Sequence, residues 1–206
     1  MGQERMGRKR YVAILLLLLV IVLFACLPAS SAVWRDVRRA CGLGTFSDAA
    51  DDAPFALHVL DVGKADSLLL ECGGEAMLVD GGTPDRGEEV VQYLTRRGID
   101  SLRYVVNTHP DADHIGGLPE VLQAFPVAAY IAPELSVDTV EYRRTQQILQ
   151  EKAIAVQYTQ AGTTFSLGGA EIEVWTPPSA ADGLNNHSLV LRVVYGDTAF
   201  LLMGDA

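Results

Sequence analysis

Positive charge is scarce in this chain. Its 206 residues carry 16 Lys+Arg against 26 Asp+Glu, a formal net charge of −10. Residues 1–26 hold four of the basic residues and one of the acidic ones, so the remainder carries 12 against 25, or −13. An acidic domain offers no extended basic track, and duplex nucleic acid is held largely through several Lys or Arg contacts to phosphate. Tight duplex binding is therefore disfavoured. Catalysis on a phosphodiester is not excluded, because metal-ligand carboxylates count toward the negative charge and bound cations would neutralise them. Cysteine is nearly absent too, with three residues and no Cys-x-x-Cys pair, which leaves a thiolate zinc site unsupported. Cys26 lies in an apolar run, so only Cys41 and Cys72 are left to form a bridge. Cys72 shares a strand face with Leu68 and Leu70, and a buried thiol fits it as well as a disulfide does. No Gly-x-Ser-x-Gly elbow accompanies Ser188 beside His187, and no Gly-x-x-x-x-Gly-Lys phosphate loop occurs.

The one long apolar run, residues 12–27, follows Arg5, Arg8, Lys9 and Arg10. That is the layout of a signal sequence or a single membrane anchor. Its sixteen residues fall short of the roughly 20 that cross a bilayer upright, so three outcomes stay open. The segment is retained, or it is cut before Val33 after the small residues Ser30-Ser31-Ala32, or it is lipidated at Leu23-Phe24-Ala25-Cys26, where Phe24 fits poorly. Each puts the rest of the chain outside the cytoplasm, anchored to the cell membrane or secreted, because the basic cluster stays inside. Arg35, Arg38 and Arg39 on the far side weaken this orientation without reversing it. Residues 28–54, with Pro28, Gly42, Gly44, Pro54 and the acidic Asp48, Asp51 and Asp52, read as a linker. The folded domain is expected over residues 55–206.

Within that domain, residues 56–62, 67–72 and 76–80 are short apolar runs separated by Gly63-Lys64-Ala65-Asp66 and Gly73-Gly74-Glu75, a strand meander with tight turns. Residues 88–97 place Val90, Val91 and Leu94 at helical spacing. A strand follows at 102–106, a short helix at 118–125 and a strand at 127–132. Residues 138–152 read as a polar helix capped by Asp138. Strands then return at 154–158, 163–167, 171–175, 188–195 and 198–203. Strands in groups, with helices between them and polar clusters on the connections, describe a layered α/β sandwich in which helices cover two sheets.

The chemistry sits in His109-Pro110-Asp111-Ala112-Asp113-His114-Ile115-Gly116-Gly117, which packs four potential metal ligands into six residues. It follows a short β-branched run and precedes a glycine pair. Pro110 argues against a continuing helix or central strand, so the cluster is expected to be a loop. Two imidazoles and two carboxylates on one loop can turn inward around one or two divalent cations of the zinc, manganese or iron kind. A loop that merely caps the next helix needs one acceptor, not four.

Other residues are less specific. Asp205, at the end of Leu201-Leu202-Met203-Gly204-Asp205, suits a carboxylate bridging two cations, and a turn Asp suits the spacing equally. Asp80, at the end of Met77-Leu78-Val79 and before Gly81-Gly82, suits an outer carboxylate that orients a ligand. His187 could complete a ligand set or be a solvated loop residue, and His58 reads as structural. Asp61 and Asp66 flank the Gly63 turn, Asp66 within reach of backbone near the site. Lys64, the only base there, either meets a substrate phosphate or is solvated.

Taken together the motifs resemble the metallo-β-lactamase superfamily, whose usual metal motif is His-x-His-x-Asp-His, with Asp111 standing where most members have the second His. That replacement, with Leu60-Asp61-Val62-Gly63-Lys64-Ala65-Asp66-Ser67, Val79-Asp80-Gly81-Gly82, Asn185-Asn186-His187-Ser188 and Leu202-Met203-Gly204-Asp205-Ala206, is similar to the hydrolase domain of the ComEC competence proteins over residues 56–206. Lys64 and Ala65 replace that family's Gln and Gly. The resemblance implies an α+β, four-layer αββα sandwich and a hydrolase with two divalent metal ions, zinc or manganese. His109 and Asp111 would bind the first metal, Asp113 and His114 the second, and Asp205 would bridge them, with Asp113 the catalytic carboxylate and His187 a further candidate ligand. Two cations would bring a bridging water to a pKa of about 7. The implied substrate is a phosphodiester, DNA during uptake among them. The alternatives are a lactone or amide hydrolase on the same fold and a non-catalytic surface binding domain. Family members continue to another helix and a His-His-Gly-Ser segment supplying a further second-metal ligand, so the chain is expected to be incomplete at its carboxyl end.

Overall fold

Two faces of one sheet are buried by different partners, and the strand sequences alternate accordingly. The computed structural model describes residues 53–175 and 183–206, all within one compact unit, Asp48–Ala206. A six-stranded sheet runs in the order β1-β2-β3-β4-β5-β6, with β1 Phe55–Val59, β2 Leu68–Cys72, β3 Glu75–Val79, β4 Leu102–Val106, β5 Val127–Ala132 and β6 Ala155–Tyr158. The first three strands form the expected antiparallel meander, and β3 to β6 pair in parallel. Parallel neighbours need a crossover. Here α1 (Gly87–Arg97), the pair α2 (Ala112–Ile115) and α3 (Leu118–Ala124), and α4 (Val140–Glu151) supply it. A second sheet of four antiparallel strands has the order β10-β9-β8-β7, made of β7 Thr164–Leu167, β8 Ala170–Trp175, β9 Val190–Tyr195 and β10 Thr198–Leu202.

Period-two alternation sorts the apolar side chains into two cores. Leu69, Ala76, Leu78, Val105 and Tyr130 pack under the helices with Val90, Leu94, Leu118, Leu122 and Ile148. Leu70, Met77, Val79, Val106 and Ile131 face the other way, against Leu167, Ile172, Val174, Leu191 and Val193 of the second sheet. Among the described residues this makes three of the expected layers, helices on sheet on sheet. Trp175, Leu201 and Met203 on the second sheet are 45–47% exposed. The parallel half of the large sheet makes the fold more α/β in character than an α+β description conveys. Among the described residues no helix is long and apolar enough to cross a membrane, and the expected anchor at residues 1–27 lies outside them, as do residues 28–52 of the linker.

Two local expectations are corrected. The metal-ligand segment is only partly a loop, because Ala112–Ile115 closes one helical turn that carries Asp113 and His114. The fourth helix is capped by Thr139, whose side chain accepts from the Tyr142 N–H at 3.3 Å, while Asp138 pairs with Arg143 instead. Asp66 does meet backbone near the site, its N–H donating to the Asp113 carbonyl at 3.3 Å. Two undecided residues also find places. Cys72 is a buried free thiol. His58 is structural, with Nε2 2.7 Å from Glu71 and Nδ1 3.1 Å from the Tyr93 hydroxyl, in a cluster that Arg97 joins through the same carboxylate.

The glycine pairs are required by close approach. The Gly81 N–H donates to the His114 carbonyl at 2.8 Å and the Gly117 N–H to the Gly82 carbonyl at 3.0 Å, so the end of β3 and the turn carrying His114 meet backbone to backbone. A Cβ on Gly117 would collide with the Gly81 carbonyl oxygen, and one on Gly116 with the Ala112 carbonyl and Pro84. Overpacking against backbone has no flexible atom to absorb it. Gly117→Ala is therefore expected to destabilise the fold by about 2–3 kcal/mol, which thermal denaturation should register as a fall in Tm of about 5–10 °C; an unchanged Tm would show that the contact is slack.

Candidate metal centre

Asp80 organises the site. It ends β3 in a left-handed conformation, φ 57°, and is 1% exposed. A non-glycine residue is strained there and persists only where its surroundings hold it. The surroundings do so through its carboxylate, which accepts from the Thr108 N–H at 2.8 Å, the Thr108 hydroxyl at 2.6 Å, Asn107 Nδ2 at 3.2 Å and His114 Nδ1 at 2.9 Å. Asn107 and Thr108 were not legible as site residues. Their signal is a polar pair, 2% and 1% exposed, directly after the buried run of β4. With Nδ1 of His114 committed to Asp80, its Nε2 is turned toward the site, the arrangement by which outer carboxylates orient metal-binding imidazoles.

His109 is turned the same way by different means. Its Nδ1 lies 3.2 Å from the Thr108 hydroxyl and 3.3 Å from the Ser188 hydroxyl, and since Thr108 already donates to Asp80, the ring donates to these oxygens. Ser188 is buried just before β9, so its role is support and not nucleophilic attack. The Leu189 N–H donates to the Thr108 carbonyl at 2.9 Å, stitching the second sheet to the same strand end. The other nitrogen of His109, Nε2, is fully buried and has no hydrogen-bond partner. Burying an unpaired polar atom is unfavourable by roughly 1–3 kcal/mol, so this one calls for a partner.

The donors that surround it suit a cation. His109, His114 and Asp205 each present a ligand atom within 4.8 Å of the others, and the two imidazole rings are 4.1 Å apart. Asp205 follows β10, with Oδ1 3.3 Å from His114 Nε2 and Oδ2 accepting from Asn185 Nδ2 at 3.3 Å. Asp111 Oδ2 is 3.5 Å from His109 Nε2. Asp111 holds the N-cap position of the short helix without making a side-chain cap hydrogen bond, so capping does not account for it. Asp113 is half-buried on the short helix that also carries His114, and neither it nor Asp111 is in the three-residue group. His187 sits half-buried in the turn Asn185–His187, between Asn185 and Ser188, and is not in the three-residue group. Nitrogen and carboxylate donors around an orphaned buried imidazole nitrogen fit a divalent metal ion of the zinc or manganese kind.

Charge separates the two imidazoles. Burial pushes His109 below its ordinary value, and His114 beside it adds to the effect. Burial pushes His114 down as well, but the hydrogen bond and charge of Asp80, with Asp205 and Asp113, outweigh it and raise the group to about 9. Burial also raises the Asp66 carboxyl, with Asp80, Asp205 and Asp113 adding to it against the lowering effect of His114.

One family model, the metallo-beta-lactamase superfamily, matches residues 60–206. The chain is 28% identical to ComE operon protein 3 of Bacillus subtilis over 169 residues, 72% of this chain and 22% of that protein. It is 35% identical to a hydroxyacylglutathione hydrolase of Synechococcus over 103 residues, 50% of this chain and 34% of that protein. It thus spans about a fifth to a third of these relatives' lengths. Among solved structures, a metallo-beta-lactamase from Cronobacter sakazakii, a HARLDQ-motif mutant, superposes with a TM-score of 0.52 at 17% identity, covering 72% of this chain and 60% of that one.

A group raised in the folded state stabilises it most while both states are protonated. The His114 pair with Asp80 therefore contributes fully below about pH 6.5 and is lost as the pH rises through about 9. For metal-free protein, urea titrations at pH 6 and pH 9.5 should differ by up to about 3 kcal/mol, with Asp80→Asn flattening the difference; a wild-type stability that does not fall with pH would count against the pair.

Proposed function

Because the chain belongs to the metallo-beta-lactamase superfamily, we propose that it is a metal-dependent hydrolase acting on phosphodiesters, with two divalent cations at the His109 to Asp205 centre. The observation that carries this is the buried, unpartnered Nε2 of His109 beside His114 Nε2 and the Asp205 carboxylate. In this reading His109 and Asp111 hold one cation, Asp113 and His114 the other, and Asp205 lies between them. Bound cations supply Lewis acidity toward water and toward the oxygen of the scissile group. The protein's part is preparation. Asp80, Thr108 and Ser188 engage Nδ1 of the two imidazoles and so turn Nε2 of each toward the site, and burial keeps bulk water from competing at His109. Asp113 is the catalytic carboxylate, placed on the helical turn beside His114 to hold the second cation and orient the attacking water.

Support for a phosphodiester comes from the ComEC-like motif set and the match to ComE operon protein 3; DNA is the polymer this suggests. The acidic surface favours a single strand or a short fragment over tight duplex binding. Residues 1–27 serve as the membrane anchor in the same reading, residues 28–54 as the linker, and the hydrolase domain lies outside the cytoplasm. A second reading, hydrolysis of an acyl substrate, is favoured by the hydroxyacylglutathione hydrolase match.

The full-length protein loaded with manganese or zinc should cleave a bis-aryl phosphodiester, lose that activity to chelator, and fall by about 100-fold or more with Asp113→Ala. Equal rates for wild type and variant would sink the proposal, and preference for a thioester over the phosphodiester would favour the second reading.

A further inference from the structure

Of the three grouped ligand side chains Asp205 is the least enclosed, 41% exposed where His114 is 2% and His109 fully buried. Packing holds the imidazoles, so the carboxylate needs another restraint. Its backbone is seated first. The Ala206 N–H donates to the Met203 carbonyl at 3.2 Å, closing a turn in which Gly204 is left-handed, φ 51°. A Cβ on Gly204 would lie 2.9 Å from the Thr108 hydroxyl oxygen and 3.4 Å from the Ser188 Cβ, so glycine lets the turn rest on the two residues that engage His109. The side chain then has a different partner at each oxygen. Oδ1 lies 3.3 Å from His114 Nε2, and Oδ2 accepts from Asn185 Nδ2 at 3.3 Å.

Asn185 opens the turn Asn185–His187, and the Ser188 N–H donates to its carbonyl at 3.0 Å. The turn is tied to the end of β4 by the Leu189 N–H, which donates to the Thr108 carbonyl at 2.9 Å. One short segment therefore sets a hydroxyl on His109 and an amide on Asp205. Only the nitrogen of an amide can donate to a carboxylate, which fixes the way Asn185 faces. Asparagine side chains often bond their own neighbouring backbone, whereas this one reaches a carboxylate twenty positions along the chain. The 3.3 Å between Oδ1 and His114 Nε2 is the spacing of two ligand atoms on one tetrahedral ion with bonds of about 2.0–2.1 Å. Oδ1 is thus the oxygen turned to the centre and Oδ2 the one turned away.

We infer that Asn185 is a positioning residue of the metal centre, whose amide holds Oδ2 of Asp205 and so keeps Oδ1 aimed at the cation. The inference rests on the reading of Asp205 as a metal ligand and adds a residue that the ligand set leaves out.

A double-mutant cycle on metal affinity separates this role from a structural one. Asn185 is exposed, so Asn185→Ala should leave the metal-free Tm within about 2 °C of wild type. Full-length protein stripped of metal would be titrated with zinc by calorimetry, and its cobalt-loaded form read by visible absorption, which reports the atoms around the ion. Asn185→Ala should bind zinc about tenfold more weakly and shift the cobalt bands, because Asp205 is free to turn. Added to Asp205→Ala, the same change should cost no further affinity. Zinc affinity and cobalt bands of Asn185→Ala equal to those of wild type, or a loss that adds in full to that of Asp205→Ala, would overturn the assignment while leaving Asp205 as a ligand. Wild-type affinity in Asp205→Ala, or no zinc bound by wild type, would overturn both.

Discussion

The hydrogen bond from His114 to the carboxylate of Asp80 is the constraint on which the rest of the centre depends. Asp80 sits at the end of a buried strand in a backbone conformation that an aspartate adopts reluctantly, and it is kept there by donors from Asn107, Thr108 and His114. Charge-assisted hydrogen bonds of this kind are each worth about 1.5–3 kcal/mol, and the four together exceed the local strain of about 1–3 kcal/mol. The strain is therefore sustained by the same contacts that aim His114 at the site. Thr108 carries the arrangement onward, since the hydroxyl that donates to Asp80 also accepts from His109.

The site needs a rigid floor, and the two-faced sheet provides it. Asp80 leaves β3 and the His109 segment leaves β4, and these neighbours are parallel, so both reach the site from their carboxyl ends. Open α/β sheets gather ligands at that end because the chain must turn there to start each crossover. The second sheet contributes from the opposite side, through Ser188 at the start of β9 and Asp205 after β10. Four stretches of the chain thus meet over a core that tolerates little movement.

Much of this was legible in the residues alone. Every strand and helix named from periodicity exists in the described residues, with ends displaced by at most three positions, because buried apolar runs carry a strong signal and their termini do not. The cluster from His109 to His114 announced itself by ligand density, and Asp80 by its place between a strand and a glycine pair. The supporting hydroxyls did not. Thr108 and Ser188 matter because of which ring nitrogen they touch, a relation between distant segments that no spacing encodes. The cap of the fourth helix was misassigned because Asp138 and Thr139 are both good caps in adjacent positions, and the pairing of Asp138 with Arg143 decided between them. His187 drew attention as a histidine in the right motif, although its neighbours Asn185 and Ser188 are the residues that touch the ligand side chains.

The glycine contact between the end of β3 and the turn carrying His114 bears on time as well as on shape. At the glycine contact itself backbone meets backbone, so no side-chain rotamer enters the spacing of the two segments there. A centre assembled this way has little internal rearrangement left to make when an ion arrives. Were such a centre to take up an ion, the rate of capture would be governed by how quickly the ion sheds water, and a slowly dehydrating ion such as magnesium would be at a disadvantage before any difference in equilibrium affinity was expressed.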